Sequence, residues 1–202
     1  MRRKSLPPRR PGADPPPSRR PGEVRFMRLT RRNFAQLHPL TLSLMRRHGD
    51  SHLTWKALRH YATLEAEETE QPGNLILAAL DEHGHCIGAV AALAWGYRLS
   101  LVVTSRNARG RGLAGKLLRL AIRALGRYYA EVAGDNLPSL RVFFACGLRA
   151  YDAFTRPSGK VVLRLRTLDP PPDPAGKVPE PVAGPPNLES PLPPEGGKPQ
   201  DA

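Results

Sequence analysis

From about residue 24 to residue 167 the chain switches repeatedly between two apolar rhythms, one strand-like and one helical. Val24, Phe26 and the nearby Leu29 predict a short first strand. Thr30 is placed to cap a helix over about 31–47, with Phe34, Leu37, Thr41, Leu44 and Met45 near one face. Gly49-Asp50-Ser51 interrupts, and Leu53, Ala57, Leu58, Tyr61, Ala62 and Leu64 predict a second helix over about 52–68, ended by Gln71-Pro72-Gly73. The evenly apolar run 74–80 reads as a buried strand. A turn at Glu82-His83-Gly84-His85 returns the chain through a strand from Cys86 to Trp95. Gly96 breaks that run, and Leu99, Leu101 and Val103 alternate in a further strand over 98–104.

The clearest helix follows a loop at 105–111. In it Leu113, Leu117, Ala121 and Leu125 recur every four residues, flanked by Leu118 and Ile122, and Gly126 stops it. A strand over 128–132, a short helix over 138–146 closed by Gly147, and strands over about 148–155 and 160–167 complete the series. The order β-α-α-β-β-β-α-β-α-β-β specifies an α/β fold: a mixed central sheet of six or seven strands flanked by about four helices.

Composition divides the 202 residues into three parts. Of 23 prolines, seven lie in 1–22 and twelve in 169–202; only Pro39, Pro72, Pro138 and Pro157 lie between. A folded body over 23–168 between two proline-rich, disordered tails is expected. The net charge of +13 is also uneven: the segment to Arg25 carries +6 and the last 34 residues −4. A basic arm of this kind suits a weak contact with RNA or an acidic partner, or merely keeps the protein soluble, and neither tail has an aromatic residue for base stacking. No apolar run reaches the length of a membrane span, and the basic start lacks the apolar stretch of a secretory signal. Cys86 and Cys146 make neither a disulfide framework nor a metal cluster. A reducing, cytoplasmic setting without metal or membrane is expected; the oligomeric state is not legible.

The loop Arg109-Gly110-Arg111-Gly112-Leu113-Ala114 holds the candidate chemistry. Gly110 and Gly112 let backbone approach a ligand closely, the amides lie at a helix N-terminus, where the dipole favours an anion, and two arginines add charge. The segment is a diphosphate cradle in physical terms, although neither a P-loop nor the dinucleotide fingerprint is present. A basic helix cap or an Arg-Gly nucleic-acid contact is the competing reading. A second segment follows: Asn136 stands three residues before Ser139, seven before Phe143 and eleven before Gly147.

Together the two segments resemble the GNAT superfamily of N-acetyltransferases. Arg109, Gly112 and Ala114 match its Arg/Gln-x-x-Gly-x-Gly/Ala signature; Asn136, Ser139, Val142, Phe143, Gly147 and Leu148 match its later pattern. The resemblance covers about 24–167. It implies acetyl-CoA as co-substrate and a primary amine as acceptor, with the amine attacking the thioester directly. It implies that backbone groups of Val102, Val103 and Thr104 pair with the pantetheine arm, where two neighbouring parallel strands splay apart. It further implies that Arg109, Gly110, Arg111, Gly112, Leu113 and Ala114 hold the diphosphate, and that Asn136 and Phe143 lie by the pantetheine or acetyl end. The family often has a Tyr, as acid for the leaving thiolate, where this chain has Phe143. Tyr151 is the candidate replacement, and Glu131 the candidate base, with an ordinary ion pair as its other reading. A GNAT-like module that binds CoA, or nothing, and works through the basic arm is the alternative.

The acceptor is not specified. Trp55, His60 and Tyr61, with Arg46, Arg47 and His48, suit an anionic acceptor, whereas Glu65, Glu67, Glu68 and Glu70 suit a cationic one. His83 and His85 read as turn polarity and Cys146 as a small core residue.

Overall fold

A computed structural model describes residues 22–168. The basic arm apart from Gly22, and the acidic tail, lie outside the described residues. Seven strands and four α-helices follow in the order expected: β1 (Arg25–Arg28), α1 (Phe34–His48), α2 (Trp55–Ala62), β2 (Leu75–Leu80), β3 (Cys86–Leu93), β4 (Leu99–Thr104), α3 (Leu113–Leu125), β5 (Tyr129–Ala133), α4 (Leu137–Ala145), β6 (Leu148–Thr155) and β7 (Val161–Thr167). Two sheets form, in strand orders β1-β2-β3-β4 and β5-β7-β6, and the pairings within each are antiparallel. No described helix is long and apolar enough to cross a membrane.

The first sheet is covered on both faces, which is why β2 is buried at every position. Leu75, Leu77, Ala79, Val90 and Ala92 pack with Leu113, Leu117, Leu118 and Ala121 of α3. The alternate residues Ile76, Ala78, Leu80, Ala89, Ala91 and Leu93 pack with Leu37, Leu44 and Met45 of α1 and Tyr61 of α2. Gly88 brings β3 close to α3, since a Cβ there would lie 2.9 Å from Leu117 Cδ1.

The second helix and the third strand differ from the periodicity, each for local reasons. The second helix was expected over 52–68, but it starts at Trp55 and ends at Ala62. Thr54 Oγ1 accepts the Ala57 N–H at 3.2 Å, fixing the start. At the other end Thr63 donates its hydroxyl to the carbonyls of Arg59 and His60, and a separate 3-10 turn follows over Ala66–Glu70. The third strand stops at Leu93 rather than Trp95. Asn74 Oδ1 accepts the Ala94 N–H and Gly73 O the Trp95 N–H, both at 2.7 Å, and Ala94 and Trp95 turn left-handed (φ 49° and 58°).

That turn leads to the seam between the sheets. A Cβ on Gly96 would lie 1.9 Å from Tyr129 O, so only glycine allows the approach. The rings of Tyr97 and Tyr129 stack at 3.6 Å, and Ser100 Oγ and the Tyr128 hydroxyl are hydrogen-bonded at 3.1 Å. β4 and β5 thus start side by side. Neither pairs with the other, and each is an edge strand of its own sheet.

Candidate active site

Beyond the seam the two strands line a cleft of about 470 Å³. Ser100 to Thr104 of β4 form one wall and Glu131 to Ala133 of β5 another; Ala108 to Gly115 form the floor, except Arg111, whose side chain was expected there and which lies outside the lining, and Asn136, Pro138, Ser139, Val142 and Phe143 of α4 and its lead-in lie alongside. His48 at the end of α1, with Gly49, Asp50, His52 and Leu53 of the loop to α2, closes the remaining side. The sequence-marked segments at 102–104, 109–114 and 136–143 therefore meet in one place.

The floor has the chemistry of an anion site. Gly110 and Gly112 are left-handed (φ 74° and 73°), and no side chain caps Gly112, the N-cap of α3. Among the described residues the amides from Gly110 to Gly115 donate to no protein acceptor; the first bond of the helix runs from Lys116 N–H to Gly112 O. A Cβ on Gly110 or Gly112 would meet nothing within 4 Å, so both glycines face open space. Unsatisfied amides at the positive end of a 13-residue helix, with Arg111 exposed among them, favour a polyphosphate. Arg109 serves differently from the simple added charge expected of it. Its Nη2 donates to His48 O at 2.9 Å and ties the loop to the end of α1.

The walls suit a chain-like ligand. The Val102 side chain packs on the α3 side of the sheet and that of Val103 on the α1 side, so the β4 backbone edge faces β5. Asn136 is buried, and its Oδ1 accepts the Ser139 N–H at 3.2 Å as the N-cap of α4. Phe143 is a core residue whose ring lies 6.3 Å from that of Tyr128. Burial raises the Tyr128 phenol above its ordinary range, against the opposing bond with Ser100, so the phenol stays neutral.

The two acid–base candidates fare unequally. Glu131 reaches the cleft, but its carboxylate pairs with Arg164 at 3.3 Å, and Arg164 also holds Asp152 at 2.8 Å. Tyr151 lies on β6, outside the cleft lining, with Arg166 over its ring at 4.8 Å. Three of the four glutamates offered for a cationic acceptor are engaged within the protein: Glu67 with Arg31, Glu68 with Arg98, and Glu70 with the Arg31 N–H. Tyr61 is fully buried, its hydroxyl 2.6 Å from Thr41 Oγ1, whereas Trp55 is 75% exposed. Among the described residues no three His, Cys, Asp or Glu side chains gather as a metal site would require.

Sequence reasoning missed His52 as a cleft residue and Asp135 as its neighbour just outside the lining. His52 Nδ1 lies 3.5 Å from Asp135 Oδ1. One belongs to the loop between two helices and the other to the turn after β5, and only tertiary folding makes them neighbours.

Residues 40–148 match the family model described as "Acetyltransferase (GNAT) family". No curated protein matches the chain in sequence. Among solved structures, a protein described as an acetyltransferase from Acinetobacter baylyi superposes with a TM-score of 0.58 at 17% identity, over 77% of this chain and 99% of that one. The NatC complex bound to Gag peptide and CoA gives 0.56 at 15% identity, over 72% and 98%. A protein described as a GNAT-family acetyltransferase from Bordetella pertussis gives 0.50 at 19%, over 69% and 92%. At these identities the structural likenesses establish the fold, and the family model, which spans more than half of the sequence, establishes the kinship: this chain belongs to the GNAT acetyltransferase family.

Proposed function

We propose that the protein transfers the acetyl group of acetyl-CoA to a primary amine, on a small molecule or a protein, by direct attack of the amine on the thioester. The observation that carries this reading is the row of unsatisfied amides from Gly110 to Gly115, opening onto a cleft between two unpaired strand edges. Acetyl-CoA, the family's co-substrate, supplies the activated acyl group. The amides of Gly110 to Ala114 are assigned to its diphosphate, the Arg109 amide being already donated to Arg106 O at 3.3 Å; the backbone of Val102, Val103 and Thr104 is assigned to its pantetheine arm, and Asn136 and Phe143 to the walls beside that arm. The split between β4 and β5 offers main-chain donors and acceptors without disrupting either sheet. Most of the rate enhancement then comes from fixed positioning and from amide dipoles already aimed, with little reorganisation during reaction.

One observation favours a second reading, a CoA-binding module with weak or no turnover. Phe143 stands where the family often has an acid, and Tyr151, the candidate substitute, lies outside the cleft. Calorimetry with acetyl-CoA and a thiol-release assay over a panel of polyamines, amino acids, aminoglycosides and peptide N-termini separate the two. Binding with thiol release that depends on an amine supports transfer; binding without it supports the module. Absence of binding refutes transfer and CoA binding alike and leaves only a module that works through its basic arm. Deleting residues 1–22 and measuring RNA affinity tests the partner expected for the basic arm.

A further inference from the structure

An amine acceptor must give up a proton to react, and Glu131 is ill-placed to take it because its carboxylate is already engaged by Arg164 at 3.3 Å. The opposite side of the cleft offers another group. His52 lines the cleft from the α1–α2 loop, with its side chain 21% exposed. Its backbone N–H donates to Asp50 Oδ1 at 3.0 Å, which fixes the loop beneath the ring. Its Nδ1 is buried and makes no hydrogen bond, but it lies 3.5 Å from Asp135 Oδ1, whose other oxygen is 3.4 Å from Lys160 Nζ. Its Nε2 is not buried and has no partner among the described residues. A carboxylate on one ring nitrogen fixes the tautomer and leaves the other nitrogen's lone pair free, and apo contacts of this kind are commonly longer than in the working complex.

We propose that His52 is the proton acceptor for the attacking amine and that Asp135 is its positioning residue. This rests on the acetyl-transfer reading above. As the amine nitrogen bonds to the acyl carbon and the carbon–sulfur bond breaks, His52 Nε2 takes the amine proton and the electron pair leaves on sulfur. The imidazolium then gives that proton to the thiolate, yielding amide, thiol and neutral His52. One side chain thus supplies both the base and the acid that Phe143 cannot supply. The other charged or titratable groups around this cleft are His48, Asp50, Arg109 and Glu131, with Lys160 behind Asp135. His48 Nδ1 is likewise buried without a partner, which makes His48 the rival candidate.

The test uses the full chain and the acetyl-CoA and amine assays above, across pH 5 to 9. The wild-type rate should rise with pH along the limb that an imidazole gives between about pH 5 and 8. His52→Gln should lower kcat/KM roughly 10²–10⁴-fold and abolish that limb. Its acetyl-CoA affinity by calorimetry and its melting temperature should match the wild type. Asp135→Asn should move the limb, which loss of a merely structural contact would not do, and should lower kcat more than it raises KM. Retention of the limb in His52→Gln, or its loss in His48→Gln alone, overturns the assignment while leaving acetyl transfer intact. A wild-type protein that binds no acetyl-CoA, or binds it without amine-dependent thiol release, overturns acetyl transfer and this inference with it.

Discussion

Gly112 is the residue at which cradle and fold can be separated by one substitution. It sits at φ 73° and ψ 5°, the left-handed conformation, at the N-cap of α3. A β-branched residue there strains the backbone by about 1–3 kcal/mol. For a protein of this size the strain should lower the melting temperature by roughly 3–10 °C. The added side chain meets no protein atom, since a Cβ would have nothing within 4 Å, so the strain is almost wholly that of the backbone. Ligand binding should suffer far more. If Gly112→Val relaxes out of the left-handed region, the amides on either side of it turn away from the diphosphate. Two charge-assisted hydrogen bonds of about 1.5 kcal/mol each are then lost, a roughly 100-fold rise in Kd for acetyl-CoA. Gly147 gives the control. It too is left-handed (φ 89°) with nothing within 4 Å of a Cβ, but it ends α4 away from the cleft lining. Gly147→Val should therefore lower the melting temperature comparably and leave acetyl-CoA affinity within about twofold of wild type. Calorimetry and thermal melts on the two variants decide the matter. Wild-type affinity in Gly112→Val, or an equal loss in Gly147→Val, refutes the claim that these amides hold the ligand.

Three further outcomes follow from other parts of the fold. Asn136→Asp keeps an N-cap acceptor for the Ser139 N–H, so stability should hold within about 0.5 kcal/mol, while a new negative charge beside the cleft weakens acetyl-CoA; Asn136→Ala should lose about 1 kcal/mol in chemical denaturation. Gly96→Ala drives a Cβ into Tyr129 O at a left-handed position, and a loss of roughly 2–4 kcal/mol, read by urea unfolding, is expected because backbone must move. Burial pushes the Cys86 thiol up to about 11 from 9.0, so between those values the unfolded chain has shed a proton that the folded one keeps. Stability must fall as pH rises through that window, and Cys86→Ala should flatten that part of the fall in unfolding measured from pH 8 to 11.

The order of strands and helices was legible because each element carries its own period, and the α3 stripe from Leu113 to Leu125 left no ambiguity. The loop before α3 was legible too, since left-handed Gly110 and Gly112 leave few residue choices; that its amides hold a diphosphate is the proposal the Gly112 variant tests. What escaped the sequence depends on side chains that compete for backbone groups or on distant partners. Thr63 ends α2 by bonding back to Arg59 and His60, although Leu64 continues the apolar stripe. Glu67, Glu68 and Glu70 read as part of an open acidic patch because their partners, Arg31 and Arg98, come from elsewhere in the chain. The His52–Asp135 contact spans 83 positions, and no local pattern announces it.

The split between the sheets is held open by a conformation that neither Ala94 nor Trp95 would choose. Left-handed backbone costs an L-residue about 1–2 kcal/mol, and here two such residues occur in succession. Their surroundings impose it. Asn74 Oδ1 and Gly73 O take the two amides at 2.7 Å, and Asn74 is itself anchored by its Nδ2 donating to Glu68 O at 2.7 Å. The Trp95 ring lies against Gly73, where a Cβ would come within 2.6 Å, and beneath the Arg127 guanidinium, 4.0 Å from the ring centroid. Cation–π attraction and burial of the indole offset much of the backbone strain. The consequence is directional: the chain enters β4 pressed against the start of β5 at Gly96 and Tyr129, so the normal twist of two unpaired strands carries their far ends apart. A straight run from β3 into β4 would leave the two edges free to pair along their length, and the Gly110–Gly115 amides would then face a closed sheet instead of a cleft.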